Sequence, residues 1–250
     1  MGTDERPVAL VTGGSRGIGA ATTLAFARRG FDVALTYRNK ASRAESVAAE
    51  ARTLGANALT VGGDLTDGSA VRDLEQQVKA WRGRLDVLVL NASGGLERDL
   101  VAADPGYPMR INRDAQVALV DALLPLMPSG STIVFITSHW AHLYGKTQQL
   151  PAYEPVAQSK WAGEQALRAR QEELASCGVR LLVVTGDLVD GTITPKLLER
   201  AGPGMTARRE AALGALPTAA DMGEAIADAA TDNELPGGYT VVVGGDLDTL

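Results

Sequence analysis

Side chains that do chemistry are scarce in this chain. Its 250 residues include one cysteine and two histidines, and aromatics make up only 4%. A single thiol excludes an internal disulfide framework, and so few cysteines and histidines exclude the usual zinc cages. No metal is expected, and any proton transfer must fall to a few identifiable groups. An excess of positive charge is also lacking. Lysine and arginine total 24 against 30 acidic residues, a formal charge of −6, so no global field draws the chain to nucleic acid or anionic lipid. Long apolar runs are missing as well. Val87–Leu90 and Val241–Val243 fall far below the roughly 18 residues that a membrane-spanning helix needs. The opening Met1-Gly-Thr-Asp-Glu-Arg-Pro7 is acidic and polar, unlike a signal or transit peptide, and Arg6 stands where a myristoylation motif wants Ser or Thr. The expectation is a cytoplasmic protein with no membrane and no nucleic-acid partner.

What is present fits an ordinary globular chain: 45% hydrophobic and 22% charged residues, enough for one large core over residues 1–250. Short β-branched runs alternate with longer helical stretches from end to end. Strands are expected at Val8–Thr12, Asp32–Thr36, Ala58–Val61, Asp86–Leu90, Thr132–Thr137, Arg180–Thr185 and Thr240–Val243. The helical patterns cover Gly17–Arg29, Ser42–Leu54, Ser69–Trp81, Asn112–Leu126, Pro155–Ser176 and Ala219–Ala230. This rhythm predicts a single doubly wound, Rossmann-like α/β domain: a parallel seven-stranded sheet with helices on both faces. Gly30, Gly55 and Gly178 fall where helices should stop. The stretch from Gly186 to about Arg209, with Pro195 and Pro203, reads as one long irregular segment and a candidate substrate lid. Cys177, at a helix end, reads as a small buried apolar residue.

The first strand runs into Thr12-Gly-Gly-Ser-Arg-Gly-Ile-Gly19, with Gly13, Gly17 and Gly19 in the spacing G-x-x-x-G-x-G. Glycine permits the tight turn, the close approach of pyrophosphate to backbone, and close packing of helix on strand. Phosphate then meets the free N–H groups at a helix N-terminus. Gly13, Ser15, Arg16, Gly17, Ile18 and Gly19 are thus candidate cofactor contacts. After the second strand the chain reads Thr36-Tyr37-Arg38-Asn39-Lys40. A carboxylate that would accept from a ribose 2′-hydroxyl is absent there, whereas Arg38, beside Tyr37 and helped by Arg16 and Ser15, suits a 2′-phosphate. NADP(H) is the expected cofactor.

These motifs resemble those of the short-chain dehydrogenase/reductase family along essentially the whole chain. Gly62-Gly-Asp64-Leu65 is similar to the family's adenine-contacting segment. Leu90-Asn91-Ala92-Ser93-Gly94 resembles its Asn-Asn-Ala-Gly motif, with Leu90 and Ser93 as departures. Ile111-Asn112 matches the helix asparagine, Ile136-Thr137-Ser138 the strand ending in the active-site serine, and Ser159-Lys160 the helix lysine. By this resemblance Ser138, Asn112 and Lys160 belong to the catalytic group, with Lys160 also at the nicotinamide ribose. Backbone near Leu188 would meet the carboxamide, and Thr192 the pyrophosphate side. Family members usually associate through the helices that here carry Asn112–Leu126 and Pro155–Ser176, which implies a homodimer or homotetramer.

One position departs from the family in a way that bears on mechanism. The resembled family carries Tyr-x-x-x-Lys on the helix after the serine strand, one turn apart, so that lysine lowers the tyrosine pKa. Here Val156 occupies the tyrosine position. Tyr153 is the obvious substitute. On a continuous helix it would lie about 10 Å along the axis from Lys160, against roughly 6 Å at the usual spacing. Pro155, suited to the first helical position with Glu154 as cap, puts Tyr153 in the loop before the helix, where it either folds back into the site or packs on the helix entrance. The Ser138-to-Tyr153 interval is two residues longer than the family's usual one. His139, Trp140, His142 and Tyr144 follow Ser138 and read as loop or pocket-wall residues, no carboxylate partner being evident nearby in sequence.

Two classes of function fit. The first is an NADPH-dependent reductase of a small or medium organic molecule, acting on a carbonyl or on an imine or iminium derived from a carbinolamine. A cationic C=N bond becomes a neutral amine on accepting hydride and needs no acid. An acidic wall from Asp187, Asp190 or Glu154 would favour such a substrate. The second is an NADP-binding sensor or regulatory protein without turnover. Charge reversal tests the cofactor reading: Arg38→Asp is expected to raise the KM for NADPH sharply in steady-state assays while sparing that for NADH, and an unchanged preference would sink the assignment.

Overall fold

The computed structural model describes residues 6–201 and 203–250. The reading of the leader falls largely on residues 1–5, outside that range. Seven strands, β1 (Val8–Val11), β2 (Asp32–Tyr37), β3 (Ala58–Gly62), β4 (Val87–Leu90), β5 (Thr132–Ser138), β6 (Arg180–Gly186) and β7 (Thr240–Val243), form one sheet in the order β3-β2-β1-β4-β5-β6-β7. Every pairing is parallel. The helices are α1 (Gly17–Arg28), α2 (Ala41–Thr53), α3 (Gly68–Trp81), α4 (Arg98–Ala103), α5 (Tyr107–Met109), α6 (Ala115–Leu123), α7 (His139–His142), α8 (Glu154–Arg168), α9 (Gln171–Ser176), α10 (Ile193–Ala201), α11 (Met205–Leu213) and α12 (Ala219–Thr231). Among the described residues no helix is long and apolar enough to cross a membrane.

Strand alternation divides the core into two layers. Val8, Leu10, Leu88, Leu90, Ile133 and Phe135 face one side, against Leu74 and Val78 of α3, Leu119 and Leu123 of α6, and Leu167 of α8. Ala9, Val11, Val87, Val89, Val134 and Ile136 face the other, against Phe26 of α1 and Ile226 and Ala230 of α12. Burial on both faces explains why these strands read as continuous apolar runs. Strand order reverses between β1 and β4, so the crevice outside their carboxyl ends is where a ligand belongs in such a sheet.

The structure corrects four sequence-based expectations. The helix expected over Asn112–Leu126 begins earlier, at Tyr107, and widens into a π-helical segment over Arg110–Asp114 before α6 resumes. The pattern at Pro155–Ser176 breaks between α8 and α9 at residues 169–170, and Tyr153, not Glu154, is the N-cap residue of α8. The stretch 186–209 is largely helical. Leu197 and Leu198 give α10 an inward apolar face, and Pro195 sits in its first turn, where no intrahelical N–H is lost. Cys177 is exposed, because the chain leaves α9 there through Gly178 (φ 73°) while Leu174 and Val179 take the buried positions.

The π-helical segment rests directly on α8. A Cβ added at Gly163 would lie 2.1 Å from the main-chain oxygen of Asn112, so only glycine lets the two helices approach this closely. Gly163→Ala is therefore expected to destabilise the fold by about 1–3 kcal/mol, read as a lower urea midpoint with an unchanged m-value.

Candidate active site

The glycine turn is built so that its backbone is exposed to a ligand. Gly13 (φ 65°) and Gly17 (φ 52°) adopt left-handed conformations, and a Cβ on Gly19 would lie 2.3 Å from the Gly13 oxygen. The turn is tied at both sides: Gly13 N donates to Thr36 Oγ1 at 3.0 Å, and Asn91 Nδ2 donates to Thr12 O at 2.8 Å. A long groove runs over it. Gly13, Ser15, Arg16, Gly17, Ile18 and Gly19 line its middle, Tyr37, Arg38, Asp64 and Leu65 one end, and Asn91, Ala92 and Ser93 the β4 side. The sequence-derived cofactor residues are thus brought together. Arg38 reaches across this groove, donating from Nη1 to the Tyr107 hydroxyl at 2.5 Å with Nη2 3.9 Å from Glu97 Oε1. Lys40 and Arg43 border the same end. These cations and the glycine cradle fit a phosphorylated dinucleotide.

The groove opens into an inner cavity at the ends of β5 and β6, lined by Ser138, Tyr153, Val156, Lys160, Leu188 and Thr192 among others. Ser138 ends β5, and Tyr153 folds back from the start of α8 so that the two hydroxyl oxygens lie 2.9 Å apart. Only 5% of Tyr153 is exposed. Burial pushes its phenol pKa up, partly opposed by the Ser138 hydrogen bond. Val156, four residues before Lys160, is a buried apolar wall. Lys160 Nζ donates to Ile136 O at 3.0 Å, and burial lowers its pKa to about 8. Asn112 lines neither space. Its amide donates to Gly94 O at 2.8 Å and Ser159 Oγ at 3.0 Å, which fixes the loop after β4 against α8. Thr192 borders both spaces, but its hydroxyl donates to Val189 O at 2.7 Å.

The expected acidic wall does not form. Asp187 lines the cavity but pairs with Arg209 of α11, whose Nε donates to Oδ1 at 3.2 Å. Asp190 and Glu154 are exposed and line neither space. Sequence reasoning missed Glu97, which borders both groove and cavity, and Tyr107, which holds Arg38. No local motif marks either, since their partners come from other elements.

His142 has a carboxylate partner after all: Nδ1 lies 3.0 Å from Oε2 of buried Glu164, 22 residues on. His139 is fully buried, with Nδ1 3.0 Å from Thr185 Oγ1 and Nε2 3.0 Å from Gly244 O. The carbonyl can only accept, so Nε2 carries the proton and Nδ1 accepts from threonine. Desolvation lowers the His139 pKa. It is a tie between β6 and the chain after β7, not an acid facing the cavity.

The short chain dehydrogenase family model matches residues 7–201. This chain belongs to that family. It is 32% identical to the 1-cyclohexenylcarbonyl-CoA reductase of Streptomyces collinus over 190 residues, 75% of this chain and 66% of that one. The match to the short-chain dehydrogenase/reductase FrzI of Cladobotryum sp., at 36% identity, spans 52% of each chain. The chain therefore spans between half and two thirds of the length of these two relatives. Among solved structures, a blue fluorescent protein from a metagenomic library in complex with NADPH superposes with a TM-score of 0.82 at 29% identity, covering 96% of this chain and 97% of that one. A short chain dehydrogenase from Burkholderia cenocepacia J2315 in complex with NADP gives 0.82 at 28% identity, covering 97% and 98%.

Lys160 makes stability depend on pH. Its folded pKa of about 8 lies below its ordinary 10.5, so the unfolded chain binds more protons between those values and stability rises with pH there. The penalty is complete below about pH 8. Lys160→Met removes it, so the cofactor-free variant should be more stable than wild type at pH 7. That advantage should shrink between pH 8 and 10.5 in urea titrations; a constant difference would refute the assignment.

Proposed function

We propose that this chain is an NADP(H)-dependent reductase that transfers hydride to the carbonyl carbon of a small or medium organic substrate, with Tyr153 as the proton donor. The 2.9 Å contact between the Ser138 and Tyr153 hydroxyls, at the wall of a cavity continuous with the glycine-turn groove, carries this reading. Bound in that groove, the nicotinamide cofactor supplies hydride. Arg38, Ser15 and Arg16 would hold its 2′-phosphate, the Gly13–Gly19 turn its pyrophosphate, and Lys160 its nicotinamide ribose. The NADP and NADPH complexes of the two structural neighbours support the same choice.

A carbonyl oxygen gains negative charge as hydride reaches its carbon, and needs donors placed where that charge develops. Two adjacent hydroxyls share one hydrogen bond and leave one proton to offer the substrate. Burial keeps Tyr153 protonated well above neutral pH, as an acid in the reducing direction requires. Val156 takes the position of the family tyrosine, four residues before Lys160. Tyr153 is instead the N-cap residue, seven residues before the lysine. The tuning partner of the phenol is then Ser138, the one group whose hydrogen bond lowers its pKa.

The hydroxyl pair favours a carbonyl over an iminium, which needs no acid. It also favours turnover over a sensing role, which would not need hydroxyls at the cavity wall. Trp161 of α8 is 37% exposed, on the helix through which the family's members associate, which supports self-association as a dimer or tetramer. With NADPH and a ketone panel, Tyr153→Phe and Ser138→Ala should each lower kcat by about 10² to 10³-fold while NADPH binding persists. Cyclic imine reduction at full rate by both variants would favour the iminium reading instead.

A further inference from the structure

The cavity that holds the hydroxyl pair also carries information about the rest of its ligand. Its one deep acid, Asp187, has a side chain with no solvent exposure. That carboxylate accepts from Leu188 N at 2.6 Å and from Arg209 Nε at 3.2 Å, with a second bond from Arg209 Nη2. Arg209 comes from α11, is itself buried, and lies over the Trp140 ring at 5.8 Å from its centroid. Both charges are therefore compensated inside the wall. The surface around the hydroxyl pair is apolar: Trp140, Val156, Leu188 and Leu198 are buried in one cluster with Tyr153 and border the cavity. Of the other charged groups bordering it, Arg16 and Glu97 belong equally to the outer groove, and the Lys160 ammonium is directed to the Ile136 carbonyl.

We infer that the substrate body seated in this cavity is uncharged and apolar, and that Arg209 sets this specificity by neutralising Asp187. The inference rests on the cavity being the reductase's substrate site. A charged substituent placed against this wall would lose its hydration and gain no free counter-charge, which is costly in a protein interior. A cation would be attracted only if Asp187 were unpaired. Arg209 is thus a positioning residue that acts through Asp187 and Trp140.

The test uses three acetophenones of similar shape, carrying a para isopropyl, carboxylate or aminomethyl group, titrated calorimetrically into protein saturated with NADP+. Wild type is expected to bind the isopropyl ketone at least about tenfold more tightly than either charged one. In Arg209→Gln the ammonium-bearing ketone should gain relative to the isopropyl ketone. The Asp187→Asn/Arg209→Gln double variant, which leaves no unpaired charge, should restore the wild-type order even if the single variant folds poorly. Equal binding of neutral and charged ketones, or binding of none, overturns the inference. Turnover of the same ketones with NADPH is scored separately. Selective binding without NADPH oxidation would count against the reductase reading alone, and oxidation without charge discrimination against this inference alone.

Discussion

The cavity end of the molecule depends on where one helix begins. Pro155 lacks an N–H and has a fixed φ, so it belongs in the first turn of α8. Tyr153 is thereby left as the N-cap residue, with φ −107° and ψ −15°. From that place its ring lies in the apolar cluster with Trp140, Val156 and Leu188, and its hydroxyl meets Ser138 at the end of β5. Had the helix started a turn earlier, Tyr153 would project from a regular helical position, set by the 100° rotation per residue rather than by the cap. Helix start, apolar cluster and hydroxyl contact form one causal chain.

The same logic governs the cofactor end, where backbone does the work. The turn from Gly13 to Gly19 needs glycine at its ends, because Gly13 is left-handed and Gly19 is pressed against the Gly13 oxygen. Asn91 holds the turn from β4 by donating to Thr12 O, and Asn112 holds the loop after β4 by donating to Gly94 O. Asn112 is in turn fixed by the approach of α8 at Gly163. Groove and cavity therefore share their supports: α8 carries Lys160, presents the glycine that seats Asn112, and starts at the residue that meets Ser138.

Much of this was legible in the sequence because it is local. Seven strands, the parallel architecture and the glycine turn each depend on spacing within about ten residues, and burial of both sheet faces makes the apolar runs unmistakable. The groove residues were found for the same reason, since they follow strand ends in order. What escaped was decided by contacts between distant segments. Glu164 became the partner of His142 only when α8 packed beside α7, and Tyr107 became the support of Arg38 only across the groove. The helices of 193–213 were hidden by Pro195 and the flanking glycines, whose breaking tendency is cancelled at the first turn and between helices.

The Asp187–Arg209 pair shows how such a distant contact can reverse a chemical reading. Seen in sequence, an aspartate just after the sixth strand invites a cationic ligand. In the fold the protein supplies that cation itself, from a helix 22 residues further on. A buried pair of this kind is rarely more stabilising than two well-packed apolar residues, so its presence calls for a geometric rather than an energetic reason. One is at hand: Asp187 also accepts the Leu188 N–H, and Arg209 also lies over Trp140. The pair therefore registers three elements against one another: the end of β6, helix α7 and helix α11. The end of β6 and helix α7 border the space in which the hydroxyls of Ser138 and Tyr153 meet, and α11 braces both through Arg209, so the charge that closes the wall also sets its shape.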